Sequence, residues 1–373
     1  MKEYPCVYLR GGTSRALFFR EENLPRDRSL WPGLFLKALG HRRDEDGRAP
    51  AMGPDFPTNK VAVISPSPRP DADVEYNFFQ TDPVNMTVDN RGNCGNMSSA
   101  VGPYAINEGL VQPTGPVTPV RIFNTNTQRI ITAQVRVENG RAAEKGDARI
   151  FGVPGTGSPI LLTFENPGGG HSGKLFPTGS PKDLLEVPGH GPLEATIIDC
   201  TNPVVLVRAR DVDLSGGEIL EINQWPELLR LLDRVRSLTA QILGLVERWE
   251  DAPRTSTYIP FLALVAEPQD YVNIDGGQMR SGEMDICCRA VFSKVHRAYP
   301  MSAAVATAAA ARIPGTVAAE MYRPGTGRRD EVVLGHAAGT TPVGLVMEGE
   351  RVVSGTILRT AQYLFRGSLF VEE

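Results

Sequence analysis

The chain has 373 residues, a formal net charge of −4, and 41% hydrophobic against 22% charged residues, the balance of a globular protein with room for two domains. That charge gives no electrostatic reason to expect nucleic acid or an acidic membrane surface, and no run of about 18 apolar residues is present to span a bilayer. Five cysteines, at 6, 94, 200, 287 and 288, form no CxxC pair and no metal-ligand spacing with the histidines. They suit reduced thiols in a cytoplasm better than a disulfide framework, and the N-terminus lacks the apolar core of a signal peptide, so a cytoplasmic protein is expected.

The supply of Gly (38) and Pro (30) predicts many turns and short strands rather than a helical bundle. Strands are expected at 7–9, 16–19, 60–65 and 74–79, where β-branched and aromatic runs are bounded by Gly, Pro, Asn or Asp. A helix should follow from Asn96 to about Asn107. Met97, Ala100, Val101, Tyr104 and Ala105 repeat at helical spacing, and Gly109 stands where a C-cap belongs. Pro103 falls inside this pattern and threatens a kink or an early end. Further strands are expected at 120–123, 129–137 and 149–153. Residues 154–192, rich in Gly, Pro and Ser, read as long loops and the crossing into a second domain. That domain should hold strands at 195–199 and 204–207, an amphipathic helical segment over 225–248, strands at 261–265 and 284–292, and an Ala-rich helix over 302–312 that stops before Pro314-Gly315.

Met97-Ser98-Ser99-Ala100-Val101 resembles Met301-Ser302-Ala303-Ala304-Val305, 204 residues further on. Each copy follows strands and a turn and precedes a glycine and more strands. The pattern predicts an α+β duplication: two pseudo-symmetric lobes, each of β structure wrapped around a central helix. The lobes are placed at 1–185, with its helix near 96–108, and at 186–373, with its helix near 302–312, the chain ends being free to cross between them.

Three segments carry candidate chemistry. In Asp89-Asn90-Arg91-Gly92-Asn93-Cys94-Gly95-Asn96 a cysteine stands at a helix start, where unpaired N–H groups and the helix dipole stabilise a thiolate or hold a substrate carboxylate. Gly92 and Gly95 leave room for a ligand, and Asn93 and Asn96 offer hydrogen bonds or a cap; the bland alternative is a small buried cysteine beside a turn. In Leu9-Arg10-Gly11-Gly12-Thr13-Ser14, adjacent backbone donors, two hydroxyls and an arginine suit a carboxylate or phosphate. The same residues also make a plain hairpin turn, and the Gly-Lys-Ser/Thr ending of a Walker loop is missing. Lys60, at the head of an apolar strand, either points to solvent or, if buried, is a proton carrier with a depressed pKa. Weaker candidates are Asn124-Thr125-Asn126-Thr127, and Asp285, Arg289, Lys294, His296 and Arg297 ahead of the second helix.

Arg10-Gly11-Gly12-Thr13-Ser14, Thr58-Asn59-Lys60-Val61-Ala62-Val63-Ile64-Ser65 and Asn93-Cys94-Gly95-Asn96 resemble the PrpF-like 2-methylaconitate isomerase family. Ser99-Ala100-Val101-Gly102-Pro103, Asn124-Thr125-Asn126-Thr127, Asp199-Cys200-Thr201-Asn202-Pro203 and Arg359-Thr360-Ala361 support the match, in the family's order along nearly the whole chain. The resemblance implies the diaminopimelate-epimerase-like fold, which agrees with the repeat. It also implies a cofactor-independent isomerase, needing neither metal nor PLP, that performs an allylic proton shift or cis-trans isomerisation. The substrate it implies is a small unsaturated di- or tricarboxylate of the 2-methylaconitate, aconitate or oxalomesaconate type.

Cys94 matches the family's motif cysteine and Lys60 its candidate acid/base lysine. Arg10, Gly11, Gly12, Thr13, Ser14, Asn93, Gly95, Asn96 and Ser302 are the expected substrate-binding positions, since helix N-termini and the glycine turn supply donors for developing negative charge. Racemases of the wider fold use a second cysteine at the second helix. Here the 204-residue offset places Ala298 or Tyr299 opposite Cys94 with no cysteine nearby, which disfavours a two-thiol racemase and makes Lys60 the natural partner. The family's Gly-Thr-Gly-like turn is altered to Pro300-Met301-Ser302-Ala303. No nucleic-acid or membrane partner is expected, and a homodimer is left possible. A non-catalytic polycarboxylate-binding or accessory protein, and a racemase or hydro-lyase on the same scaffold, are the alternative readings.

Overall fold

The computed structural model describes residues 1–40, 57–82, 85–325 and 329–372. Close contacts divide the chain into two units, Met1–Leu162 with Leu358–Glu373, and Thr163–Ile357. The division expected at 185/186 therefore falls inside the second unit, because the strand at Asp183–Val187 hydrogen-bonds to the strand that follows it, Gly191–Cys200.

The first unit opens with β1 (Lys2–Gly11) and β2 (Ser14–Arg20), a hairpin closed by Gly11 opposite Ser14. A short helix, α1 (Trp31–Ala38), precedes β3 (Lys60–Pro66), β4 (Val74–Asp82) and β5 (Thr87–Asp89). The central helix α2 (Gly95–Asn107) then leads to β6 (Val117–Asn124), β7 (Arg129–Glu138) and the two-residue β8 (Arg141–Ala142). The strand Ala361–Val371 returns to this unit and lies antiparallel along β1.

Period-two alternation gives the sheet two faces with different coverings. Leu17, Phe19, Val61, Val63 and Phe79 pack with Trp31, Leu34 and Phe35 of α1, where the Phe35 and Phe79 rings meet edge-on at 4.9 Å. On α2 every residue from Gly95 to Ile106 is buried. Its small side chains let strands approach closely: a Cβ on Gly102 would sit 2.7 Å from Val135 Cγ2 and 3.0 Å from Ala133 Cβ. Pro103 does not end the helix. Gly109 does, at φ 75°, with the Leu110 N–H bonding back to Ala105 O at 2.8 Å.

β9 (Ile160–Glu165) runs across the division, and in the second unit it is followed by β10 (Asp183–Val187), β11 (Gly191–Cys200) and β12 (Asn202–Arg208). After α3 (Pro226–Ile242) and α4 (Ala252–Thr255) come β13 (Phe261–Ala266), the small ribbon β14 (Tyr271–Val272) and β15 (Gln278–Met279), and β16 (Ile286–Val291). The central helix α5 (Met301–Arg312) and α6 (Val317–Met321) precede β17 (Glu331–His336), β18 (Gly339–Glu348) and β19 (Arg351–Arg359). The apolar face of α3 (Leu232 and Val235) packs on Val205, Val207, Leu262 and Leu264.

The expected duplication is visible in the strand pairings. β1-β2-β3-β4-β6-β7 and β11-β12-β13-β16-β17-β18 follow the same sequence of antiparallel, parallel, antiparallel, parallel and antiparallel neighbours. The central helix enters at the same step in each, before β6 and before β17. Both units are therefore α+β.

Some local expectations fail for identifiable reasons. No strand forms over 149–153, where Gly152 and Gly155 take positive φ and only an isolated bridge, Ala148 to Gly157, remains. The helix expected to reach 248 stops at Ile242, since Gly244 adopts φ 67° and Leu245 N bonds Ala240 O at 2.9 Å. Within the stretch read as loops, β9 alternates buried Ile160, Leu162 and Phe164 with less buried neighbours. Among the described residues no helix is long and apolar enough to cross a membrane.

Candidate active site

Lys60 opens β3 directly opposite Gln80 of β4, and Gln80 in turn faces Asp89 of β5. The lysine is 2% exposed, so the solvent-pointing alternative fails. Its Nζ donates to Gln80 Oε1 and lies 5.4 Å over the Phe78 ring. Burial pushes its pKa below the ordinary 10.5, while the charge of Cys94 acts in the opposite direction. Lys60 and Cys94 are thus within electrostatic reach of one another.

Cys94 is the N-cap of α2, with extended backbone (φ −105°, ψ 98°) and no hydrogen bond from its side chain to the helix. The thiol, at 7% exposure, lies at the start of the helix, where the N–H groups of the first turn have no carbonyl partner within the helix. The approach to the cap is pinned by buried Asp89, whose carboxylate accepts from Arg91 N at 2.9 Å and from the Arg91 guanidinium at 2.6 Å. Ser98 Oγ lies 3.1 Å from both Asn93 Oδ1 and Cys94 O, tying Asn93 to the same turn.

The tip of the β1–β2 hairpin packs on that first turn. Asn96 Nδ2 donates to Thr13 Oγ1 at 3.0 Å. Gly12 takes φ 51°, and a Cβ there would overlap Asn96 Oδ1; a Cβ on Gly11 would overlap Asn96 O. Arg10 Nη1 donates to Gly12 O and Thr360 O, each at 3.0 Å, and so braces the turn. Gly12→Ala is therefore expected to lower unfolding free energy by roughly 1–3 kcal/mol in urea denaturation, with a parallel loss of turnover as Asn96 is displaced.

Several neighbours gain a part in the site from their surroundings in the fold. Arg359 is buried, its Cδ 3.3 Å from where a Gly12 Cβ would lie, and burial lowers its pKa to about 9. Among the described residues, the side-chain oxygens of Asn59, Tyr76 and Asn96 are buried without a hydrogen-bond partner. Burial, and secondly a charge on Cys94, hold the Tyr76 phenol well above its ordinary range. Buried oxygens left unmatched are uncommon, and three of them border the Lys60–Cys94 constellation. Asn96 is one of the expected substrate-binding positions and Asn59 lies in a motif shared with the family, whereas Tyr76 is marked in the sequence only as part of a strand.

Ser302 lies apart from these residues in the chain, in the second unit, at the second position of α5. The arrangement repeats that of the first unit. Asn202 Nδ2 donates to Ser302 Oγ at 3.0 Å, Thr201 Oγ1 donates to Ser302 O at 2.6 Å, and Thr201 at the hairpin tip takes φ 65°, as Gly12 does. Helix caps align Cys94 with Pro300 rather than with Ala298 or Tyr299, and Pro300 has no proton to exchange. Asp285 and Arg289 serve the framework, Asp285 accepting from Val333 N at 2.8 Å and Arg289 donating to Glu218 O at 2.8 Å. Asn124 and Asn126 bind backbone and each other around Tyr76 and Phe78. Among the described residues no three His, Cys, Asp or Glu side chains group as metal ligands.

Comparison with known proteins places the chain in a family. The PrpF protein family profile matches residues 1–372. A 3-methylitaconate isomerase of Eubacterium barkeri is 39% identical, over 99% of this chain and 97% of its own length. A 2-methyl-aconitate isomerase of Cupriavidus necator is 35% identical, over 97% and 96%. The crystal structure of a methylitaconate-delta-isomerase superposes with a TM-score of 0.81 at 38% identity, covering 100% of this chain and 96% of that one. A probable proline racemase of Agrobacterium radiobacter K84, at 14% identity and a TM-score of 0.56 over 99% and 93% of the two chains, shares the fold, which is diaminopimelate-epimerase-like. With its whole length matched by profile, sequence and structure, the chain belongs to the PrpF family.

Proposed function

We propose that this protein is an isomerase that moves a proton along a small unsaturated di- or tricarboxylate, with Cys94 and Lys60 as its acid/base pair. The observation that carries the assignment of the pair is the burial of Lys60 within electrostatic reach of a thiol at a helix N-terminus. A proton on carbon beside a carboxylate is weakly acidic, so its removal needs both a base at the carbon and preorganised donors for the spreading negative charge. The first turn of α2, the Gly11–Ser14 tip and the buried cations supply such donors. One member of the pair takes the proton, the C=C bond shifts, and the other member returns a proton at the far carbon. Rotation of the intermediate before reprotonation gives cis-trans isomerisation instead. Two chemically different groups suit transfer between two different carbons, and no step of this route calls on a cofactor.

Incubation with 3-methylitaconate, 2-methylaconitate and aconitate in buffered D2O, followed by NMR, tests the reading. Formation of the double-bond isomer with deuterium at the migrating position is expected. Binding of these acids without label uptake or isomer formation by any of them overturns it.

A further inference from the structure

We infer that Gln80 is a positioning residue for Lys60, a neutral carboxamide that holds the lysine Nζ in one place while its proton comes and goes. The inference rests on the proposed role of Lys60 and deepens it.

The orientation of the Gln80 amide follows from its surroundings. Nε2 donates to Asn59 O at 2.9 Å and to Thr81 O at 3.1 Å. Both are carbonyl oxygens, which accept and cannot donate, so both amide hydrogens are engaged and Oε1 must face the lysine. The main chain supports this anchor, since Thr81 N also bonds Asn59 O at 3.0 Å. Gln80 is 2% exposed and stands directly across the β3–β4 ladder from Lys60. A four-carbon side chain with three rotatable donors is thereby held to one position by an acceptor whose amide is anchored through two hydrogen bonds.

The neutrality of that acceptor matters as much as its placement. An ammonium and an amine both have N–H groups to donate, so a carboxamide oxygen keeps its bond to Nζ in either protonation state. A carboxylate at the same point would favour the ammonium and resist release of the proton. The titratable groups around Lys60 are compatible with this. Cys94 acts on it from the start of α2. Tyr76 follows on the same face of β4, and the Asp89 carboxylate, across from Gln80 on β5, is turned to Arg91.

The test compares Gln80→Met, which keeps the length but removes the acceptor, with Gln80→Glu, which keeps an acceptor and adds charge. For Gln80→Met we expect kcat on 3-methylitaconate to fall by about 100-fold with KM changed less than threefold. For Gln80→Glu we expect the limb of the pH–rate profile due to Lys60 to move to higher pH. A readout independent of turnover is the pH dependence of Cys94 alkylation by iodoacetamide, followed by mass spectrometry of its peptide: its midpoint should shift in both variants. Parental kcat in Gln80→Met, or unshifted pH profiles and alkylation midpoints in folded variants, overturns the inference. If the parental protein isomerises none of the acids while the alkylation midpoint still shifts, the positioning role stands and the proposed activity fails. If Gln80→Met does not fold, Gln80→Glu decides by the same two midpoints.

Discussion

Cys94→Ala is expected to lower kcat/KM for isomerisation by about 1,000-fold, within the range that a positioned acid/base group contributes. The thiol makes no capping hydrogen bond, so its removal costs the helix little, and the variant should unfold within about 1 kcal/mol of the parent. Cys94→Ser should fare almost as badly in turnover, because a hydroxyl at the same cap keeps the shape but holds its proton far more tightly. Steady-state kinetics and urea denaturation on the same preparations separate the two effects. Near-parental turnover in Cys94→Ala would move the chemistry to another group, with Tyr76 the next candidate by burial and proximity in charge.

Lys60→Met is expected to cost a similar factor in kcat, roughly 100- to 10,000-fold, and to change how stability responds to pH. The folded-state pKa of Lys60 lies below its unfolded value of 10.5 because burial disfavours the ammonium. Between those two values the unfolded chain binds more protons than the folded one, so stability rises as pH increases through that window. Below the window the lysine weighs against folding to its full extent. Removing it should flatten that part of the curve, which unfolding free energies measured at a series of pH values would show. A curve unchanged by Lys60→Met would mean that the lysine is not held as the structure describes.

The residues that sequence alone brings forward are those whose chemistry depends on local context. Cys94 stands out because a helix start follows it, Gly12 because two glycines and a hydroxyl pair cannot all be filler, and Lys60 because a charged residue heads an apolar strand. Gln80 is silent at that level, and Arg359 enters only through the Arg359-Thr360-Ala361 match, with no role attached. Gln80 acquires its meaning from being opposite Lys60 in the β3–β4 register, and register is a property of paired strands. Arg359 acquires its meaning from burial against Gly12, about 350 residues earlier in the chain. The fold shows the same division. Helix α2 and its Gly109 cap follow from spacing, while α1, with Pro32 and Gly33 inside eight residues, lacks the pattern that would mark it and is a helix because Trp31, Leu34 and Phe35 find a sheet face to cover. The strands after Gly315 carry no assignment from periodicity, although Gly339–Glu348 alternates buried and open residues over its first eight positions.

The return of Ala361–Val371 to β1 has a consequence for biogenesis. Lys2 pairs with Val371 and Gly11 with Ala361, so β1 waits for a strand made about 350 residues later. At ordinary elongation rates of about 5–20 residues per second, the interval is tens of seconds. Until then β1 presents an open edge, the feature that draws nascent chains into wrong pairings. Thr163–Ile357 is contiguous in sequence and free to fold during that wait. The lobe that carries Lys60 and Cys94 is completed only afterwards, when Arg359 and the final strand arrive together. Loss of that final segment, by truncation or a premature stop, should therefore leave an intact second unit attached to a first unit with an uncovered edge and no Arg359.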